Sequence, residues 1–160
     1  MKIKFIDIII VLIILGVLLI QMSVPRQLSP NGVYPNLIFS VASVFLLAGN
    51  LRLASIWILI GGILLDLLSP YRFGWITISF IFGIAPLYYL TAKVLRDSSL
   101  PVVFVSIFVS SLLAEVLIEV FFETGINWVP LLCALENSLF SIPLYLIIKS
   151  YMKKTEPIKI

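Results

Sequence analysis

The chain has 160 residues, of which 61% are hydrophobic and only 12% charged, with net charge +3 and mean hydropathy +1.18. A soluble domain is about half apolar and about a quarter charged, so this composition points to an all-α, polytopic integral membrane protein. There is no histidine and a single cysteine, Cys133. The commonest general base is therefore missing and an intrachain disulfide is excluded. A phosphate-cradling glycine loop, a cysteine-pair zinc pattern and an aromatic-basic nucleic-acid surface are likewise missing.

Six apolar segments follow one another, at roughly 5–22, 36–48, 53–68, 75–92, 100–122 and 128–148. They form one domain over 1–160. The first is broken only by Asp7 and Gln21, and as a helix it spans about 27 Å. Gln21-Met22-Ser23-Val24-Pro25 makes a poor signal-peptide cleavage site, so this segment reads as an uncleaved span. Pro25, Pro30, Gly32 and Pro35 mark a loop, and Asn36 opens a short second span. Gly49-Asn50-Leu51-Arg52 forms a tight turn into the third span. That span carries Gly61, Gly62 and Asp66 and stops at Ser69-Pro70. Gly83 and Pro86 predict a kink in the fourth span, and Pro143 predicts one in the sixth.

Charge placement orients the layout. Lys2, Lys4, Arg52, Lys93, Arg96, Lys149, Lys153, Lys154 and Lys159 fall on one side, and only Arg26 and Arg72 on the other. The positive-inside rule then predicts cytoplasmic N- and C-termini. Fusing the second and third spans gives a helix of about 50 Å, too long for a bilayer. Tyr34, Trp75 and Trp128 fall at the predicted outer boundaries, as an aromatic belt requires.

Several carboxylates fall inside the spans. Asp66 closes the third behind a glycine pair that lets another helix approach. Glu115 and Glu119 lie one turn apart on the fifth, and Glu123 extends the stripe. Glu136 and Asn137 lie in the sixth, with Glu136 at nearly the depth of Glu115. A charge at the bilayer centre costs about 2.5–3.5 kcal/mol. Asp66, Glu115, Glu119, Glu136 and Asn137 are therefore the candidates for a polar pocket or a partner contact. A hydrated outward cavity, a basic partner or protonated, hydrogen-bonded carboxyls each satisfy them. In the plainer alternative, Glu119 and Glu123 simply reach the interface. Nothing in the spacing singles out a metal site or a cofactor. Small residues form stripes as well: Ser106, Ser110 and Ala114 on the fifth span, Ser79 and Gly83 on the fourth. With Gly61 and Gly62 they are candidate helix-packing positions.

The chain resembles the bacterial rod shape-determining protein MreD family. The resemblance rests on Pro35-Asn36-Leu37, Leu51-Arg52, Gly61-Gly62-Ile63-Leu64-Leu65-Asp66-Leu67-Leu68, Phe73-Gly74, Asn137 and Pro143, in that order and spacing. Leu53-Ala54-Ser55 departs from a family that often has glycine soon after the Arg52 position. The resemblance implies a multi-pass protein of the bacterial cytoplasmic membrane that is not an enzyme. It would be a scaffold of the elongation (rod) complex, regulating cell shape and peptidoglycan synthesis. Implied partners are an MreC-like bitopic protein, RodA with a class B penicillin-binding protein, the MreB filament indirectly, and membrane lipid; nucleic acid is not among them. The family's bundle is similar to the substrate-binding subunits of ECF-type vitamin transporters. A transport subunit with an outward-facing polar pocket is therefore the alternative. An enzyme using Glu115 and Glu136 as acid and base lacks a supporting nucleophile or metal set.

Overall fold

The computed structural model describes residues 5–23, 33, 35–69, 72–93, 99–122 and 128–152. It is all-helical, with α1 Phe5–Ser23, α2 Leu37–Leu47, α3 Leu51–Leu68, α4 Trp75–Lys93, α5 Leu100–Phe122 and α6 Val129–Met152. Among the described residues, Leu51–Leu68, Leu100–Phe121 and Val129–Ser150 are long and apolar enough to cross a membrane. The helices carry leucine, isoleucine, valine and phenylalanine on their outward faces too. Leu12, Ile20, Leu67, Phe82, Val120 and Ile147 are all exposed. Helices apolar all round suit a lipid surround, where backbone groups must be satisfied within the segment.

The shortest helix is the hub. α2 touches α1, α3, α4, α5 and α6. Eight of its eleven residues are buried, from Ile38 to Leu47. Around it, α1 packs on α3, α3 on α4, α4 on α5, and α5 on α6. α1 and α6 do not meet among the described residues. Phe39 of α2 meets Phe80 of α4 edge-on at 5.4 Å, and Phe45 of α2 lies 6.2 Å from Trp57 of α3. One apolar cluster gathers Ile14, Leu18, Ile38, Phe39, Ala42, Trp57, Ile58, Phe80 and Ala114. A second gathers Val44, Leu46, Leu47, Ala54, Leu87, Val103, Ile107 and Tyr145.

The ends of α2 explain its length. At its C-terminus, Gly49 takes φ +83°, a left-handed conformation that favours glycine. The Gly49 N–H donates to Leu46 O and the Asn50 N–H to Phe45 O, both at 2.9 Å, a complete Schellman stop. Asn50 then caps α3, its side chain accepting the Leu53 N–H at 3.1 Å. Three residues thus reverse the chain. Helix α3 starts two residues before the span expected from sequence, because Asn50 captures Leu51 and Arg52 into its first turn. α4 and α6 continue through Pro86 and Pro143 as single helices.

Of the cations that set the expected orientation, Arg52, Arg72, Lys93 and Lys149 belong to described segments. Lys2, Lys4, Arg26, Arg96, Lys153, Lys154 and Lys159 lie outside the described residues, as do Tyr34, Asp97, Glu123 and Gly125.

Candidate functional site

Asp66 occupies the last turn of α3 and is 3% exposed. Its Oδ1 accepts the Ile76 N–H at 2.9 Å. Its Oδ2 accepts the Thr77 N–H at 3.1 Å and the Thr77 hydroxyl at 2.5 Å. Ile76 and Thr77 are the second and third residues of α4, whose N–H groups have no partner within the helix. The residue at the capping position is Gly74, at φ +97° and without a side chain. Asp66 therefore caps α4 from a different helix, and its negative charge sits at the favourable end of the α4 dipole. Gly62 makes the approach possible. A Cβ there would lie 2.8 Å from Thr77 Oγ1 and 3.1 Å from Thr77 Cα. Gly61 faces the other way, and a Cβ on it would collide with the Ile38 side chain of α2.

Asn137 is the second polar centre, fully buried on α6. Its Oδ1 accepts the Asn36 N–H at 2.5 Å and the Ser40 hydroxyl at 3.4 Å. Its Nδ2 donates to Ser111 Oγ at 2.6 Å, with the Glu115 carboxyl nearby. Those three bonds use both acceptor positions and one of the two donor positions of an amide. The Asn137 carbonyl accepts the Ser141 hydroxyl at 2.6 Å and shares the one Ser40 hydroxyl proton with its own Oδ1, at 3.5 and 3.4 Å. One side chain thus ties α6 to α2 and α5.

The same network finishes α2. Asn36 caps it, accepting the Phe39 N–H at 3.3 Å, while the Leu37 N–H donates to Gln21 Oε1 of α1 at 3.1 Å. Each of the orphan donors at Asn36, Leu37 and Phe39 is met by an amide side chain from α1, α2 or α6. Val33, just ahead of α2, is 2% exposed.

The candidate carboxylates fall into separate places. α3 packs on α1, α2 and α4 but not on α5 or α6 among the described residues, so Asp66 stands apart from Glu115, Glu119 and Glu136. Glu115 lies beside Asn137 and Glu119. Glu136 is half-buried and is not among the groups acting on Glu115. Its neighbour Asn137 turns inward, and consecutive helical residues point about 100° apart, so Glu136 occupies another face of α6. Among the described residues no group of three or more His, Cys, Asp or Glu side chains could hold a metal ion.

The small-residue stripes of α4 and α5 meet each other. A Cβ on Gly83 would lie 2.5 Å from Ala114 Cβ and 3.0 Å from Ser110 O. Ser110 is buried beside it, and Ser106, one turn away, is 7% exposed.

Asn36, Ser40, Ser111, Ser141, Gln21 and Thr77 complete these centres, and none stood out by residue type. Asn36 had a usable signal, an asparagine just ahead of an apolar run. Ser111 also had one, at four-residue spacing below Glu115 and Glu119. No protein-family model, curated protein or solved structure matches this chain.

Proposed function

We propose that this protein is a non-catalytic scaffold subunit of the bacterial cell-wall elongation machinery. It would cross the cytoplasmic membrane six times with both termini in the cytoplasm. The observation that carries the reading is how the buried polar side chains are used. Asp66 and Asn137 are both consumed in joining helices, while the outward faces are apolar. A protein built this way offers its neighbours a rigid lateral surface rather than a reaction centre. The MreD resemblance adds the partners: an MreC-like bitopic protein and the RodA and penicillin-binding protein pair.

The six-span reading requires α2 to cross with help. Eleven helical residues reach about 16 Å, roughly half a hydrocarbon core. Non-helical backbone at that depth is tolerated only where protein satisfies it. Asn137 and Gln21 do so for the Asn36 and Leu37 N–H groups.

Two measurements test the proposal. Cysteines at Ser29 and Ser98, in a Cys133→Ser background, should label from opposite sides of the membrane; labelling of both by an impermeant reagent in intact cells rules out six spans. Affinity purification from native membranes should recover a single-span protein together with a cell-wall synthase. Half-buried Glu115, beside Glu119 on α5, favours the second reading, a substrate-binding transport subunit. In that case the purified protein alone retains a small polar ligand, and Glu115→Gln loses it.

A further inference from the structure

A groove of about 370 Å³ opens on the side of the bundle between the N-terminal half of α3 and the C-terminal half of α4. Ala54, Ser55, Leu59, Ile81, Ala85 and Tyr88 line it, with Leu46 of α2 at its base. From Leu51 to Leu59 it runs about 12 Å along α3. Small side chains come from both helices, Ala54 and Ser55 from α3 and Ala85 from α4. Apart from Tyr88, the remaining lining residues are branched aliphatics, so the groove is apolar.

The mouth differs in chemistry from the walls. Arg52, Ser55 and Leu59 fall on one stripe of α3, at spacings of three and four. Arg52 is exposed and stands one turn beyond Ser55, where α3 begins. α3 and α4 run antiparallel, so half-exposed Tyr88 reaches the same end. Lys149 belongs to this end too, 5.2 Å above the ring of Tyr145, which packs with Leu46, Leu47 and Ala54. Asp66, Glu115, Glu119 and Glu136 lie toward the opposite end of their helices. The slot therefore has an apolar barrel and a cationic, hydroxyl-bearing rim.

We infer that this groove is a binding site for an anionic phospholipid, with one acyl chain in the slot and the phosphate at Arg52. Shape and charge select this occupant together. A helix is about 10–12 Å across with its side chains, so even two turns of it need more room than the groove's 370 Å³. A methylene chain fits, and its burial follows the apolar walls. A guanidinium pairs with a phosphate through two parallel hydrogen bonds, and phosphatidylglycerol keeps a net negative charge that the ammonium of phosphatidylcholine cancels. Basic residues at this end also match the negative surface of a cytoplasmic leaflet.

The test uses the full chain in mixed micelles of phosphatidylglycerol and phosphatidylcholine with identical acyl chains, with retained lipid read by native mass spectrometry. The wild type should retain phosphatidylglycerol about five-fold over phosphatidylcholine. Arg52→Gln should equalise the two lipids while a lipid still binds. Ala85→Phe, which fills the slot from α4, should lose both. Ser55→Leu fills it from α3 and should repeat that loss, guarding against a folding defect in either variant. Equal retention of the two lipids by wild type, or retention untouched by both filling variants, overturns the inference. So does a cysteine at Ser55 that cross-links to another protein in native membranes, since the groove then seats a polypeptide.

Discussion

The Asp66 carboxylate at the end of α3 holds both the backbone N–H and the hydroxyl of Thr77 in the first turn of α4. This contact crosses a turn, so it fixes the angle between two helices as well as the start of one. Asp66→Ala should lower stability by about 1–3 kcal/mol, because it leaves buried donors unmet. Asp66→Asn keeps the shape but offers one acceptor oxygen, and should cost less. Thr77→Val removes a single bond and should cost the least. Thermal unfolding in detergent ranks the three. Equal Tm values for Asp66→Ala and wild type would show that the cap is dispensable.

Asn137 makes a sharper demand, since its side chain holds partners at Asn36, Ser40 and Ser111. Asn137→Leu fills the volume but strands the Asn36 N–H inside the protein, at about 1–3 kcal/mol for that group alone. Asn137→Asp keeps the acceptor for Asn36 and Ser40 but loses the donor to Ser111 and brings a second carboxyl against Glu115. Both variants should unfold at lower temperature than Ser111→Ala, which removes one partner and leaves the rest. Hydrogen exchange at the Asn36 amide should quicken selectively in Asn137→Leu. Unchanged exchange there would separate Asn137 from the start of α2.

The sequence was most legible where physics is local. Apolar runs, glycines and prolines mark the helices, and Asn36 and Asn50 mark two of their starts. Asp66 was also legible as a buried carboxylate behind a glycine pair, because charge in an apolar segment has so few explanations. Its task was not. A carboxylate capping a helix ten residues away leaves no pattern, since the partners are backbone N–H groups that every residue carries. Glu115 and Glu136 share a depth, and depth can be counted along a helix. Which way each faces is set by how α6 rotates against α2, and the Asn36 and Asn137 contact fixes that across 101 residues. The central place of α2 was hidden for a related reason: its short, apolar sequence looks like an incomplete span until five neighbours surround it.

The glycines should respond to alanine in a definite order. At Gly83 the added methyl meets Ala114 Cβ at 2.5 Å and backbone atoms of α5 at 3.0 and 3.1 Å. Relief requires α4 and α5 to separate, and Gly83→Ala should cost about 1–3 kcal/mol. At Gly61 the obstacle is the Cγ2 methyl of fully buried Ile38, whose β-branched side chain is nearly fixed at χ1 in a helix, so Gly61→Ala should cost a similar amount. Gly16 has nothing within 4 Å, and Gly16→Ala should stabilise by about 0.5–1 kcal/mol through helix propensity. A Tm series in which Gly16→Ala falls below Gly83→Ala would contradict this account of the packing.

Two buried hydroxyls stand outside the bonding scheme. Ser43 Oγ on α2 and Ser110 Oγ on α5 have no hydrogen-bond partner among the described residues. Both fall between the two apolar clusters. On α2, Ser43 separates Ala42 from Val44, and on α5, Ser110 lies between Ile107 and Ala114. Gly83 packs on the Ser110 carbonyl from α4, between Phe80 and Leu87. A hydroxyl buried without a partner carries a desolvation cost of about 1–3 kcal/mol. Alanine removes that cost, gives up a single oxygen's worth of packing and has the higher helix propensity. Ser43→Ala and Ser110→Ala should therefore each hold or raise the Tm, and their effects should add if the two hydroxyls are independent. Ser40→Ala is the contrast, because its hydroxyl bonds Asn137 and its loss should lower the Tm. A marked fall in Tm for Ser43→Ala or Ser110→Ala would mean that these hydroxyls bind a buried water, and a non-additive pair would place that water between them.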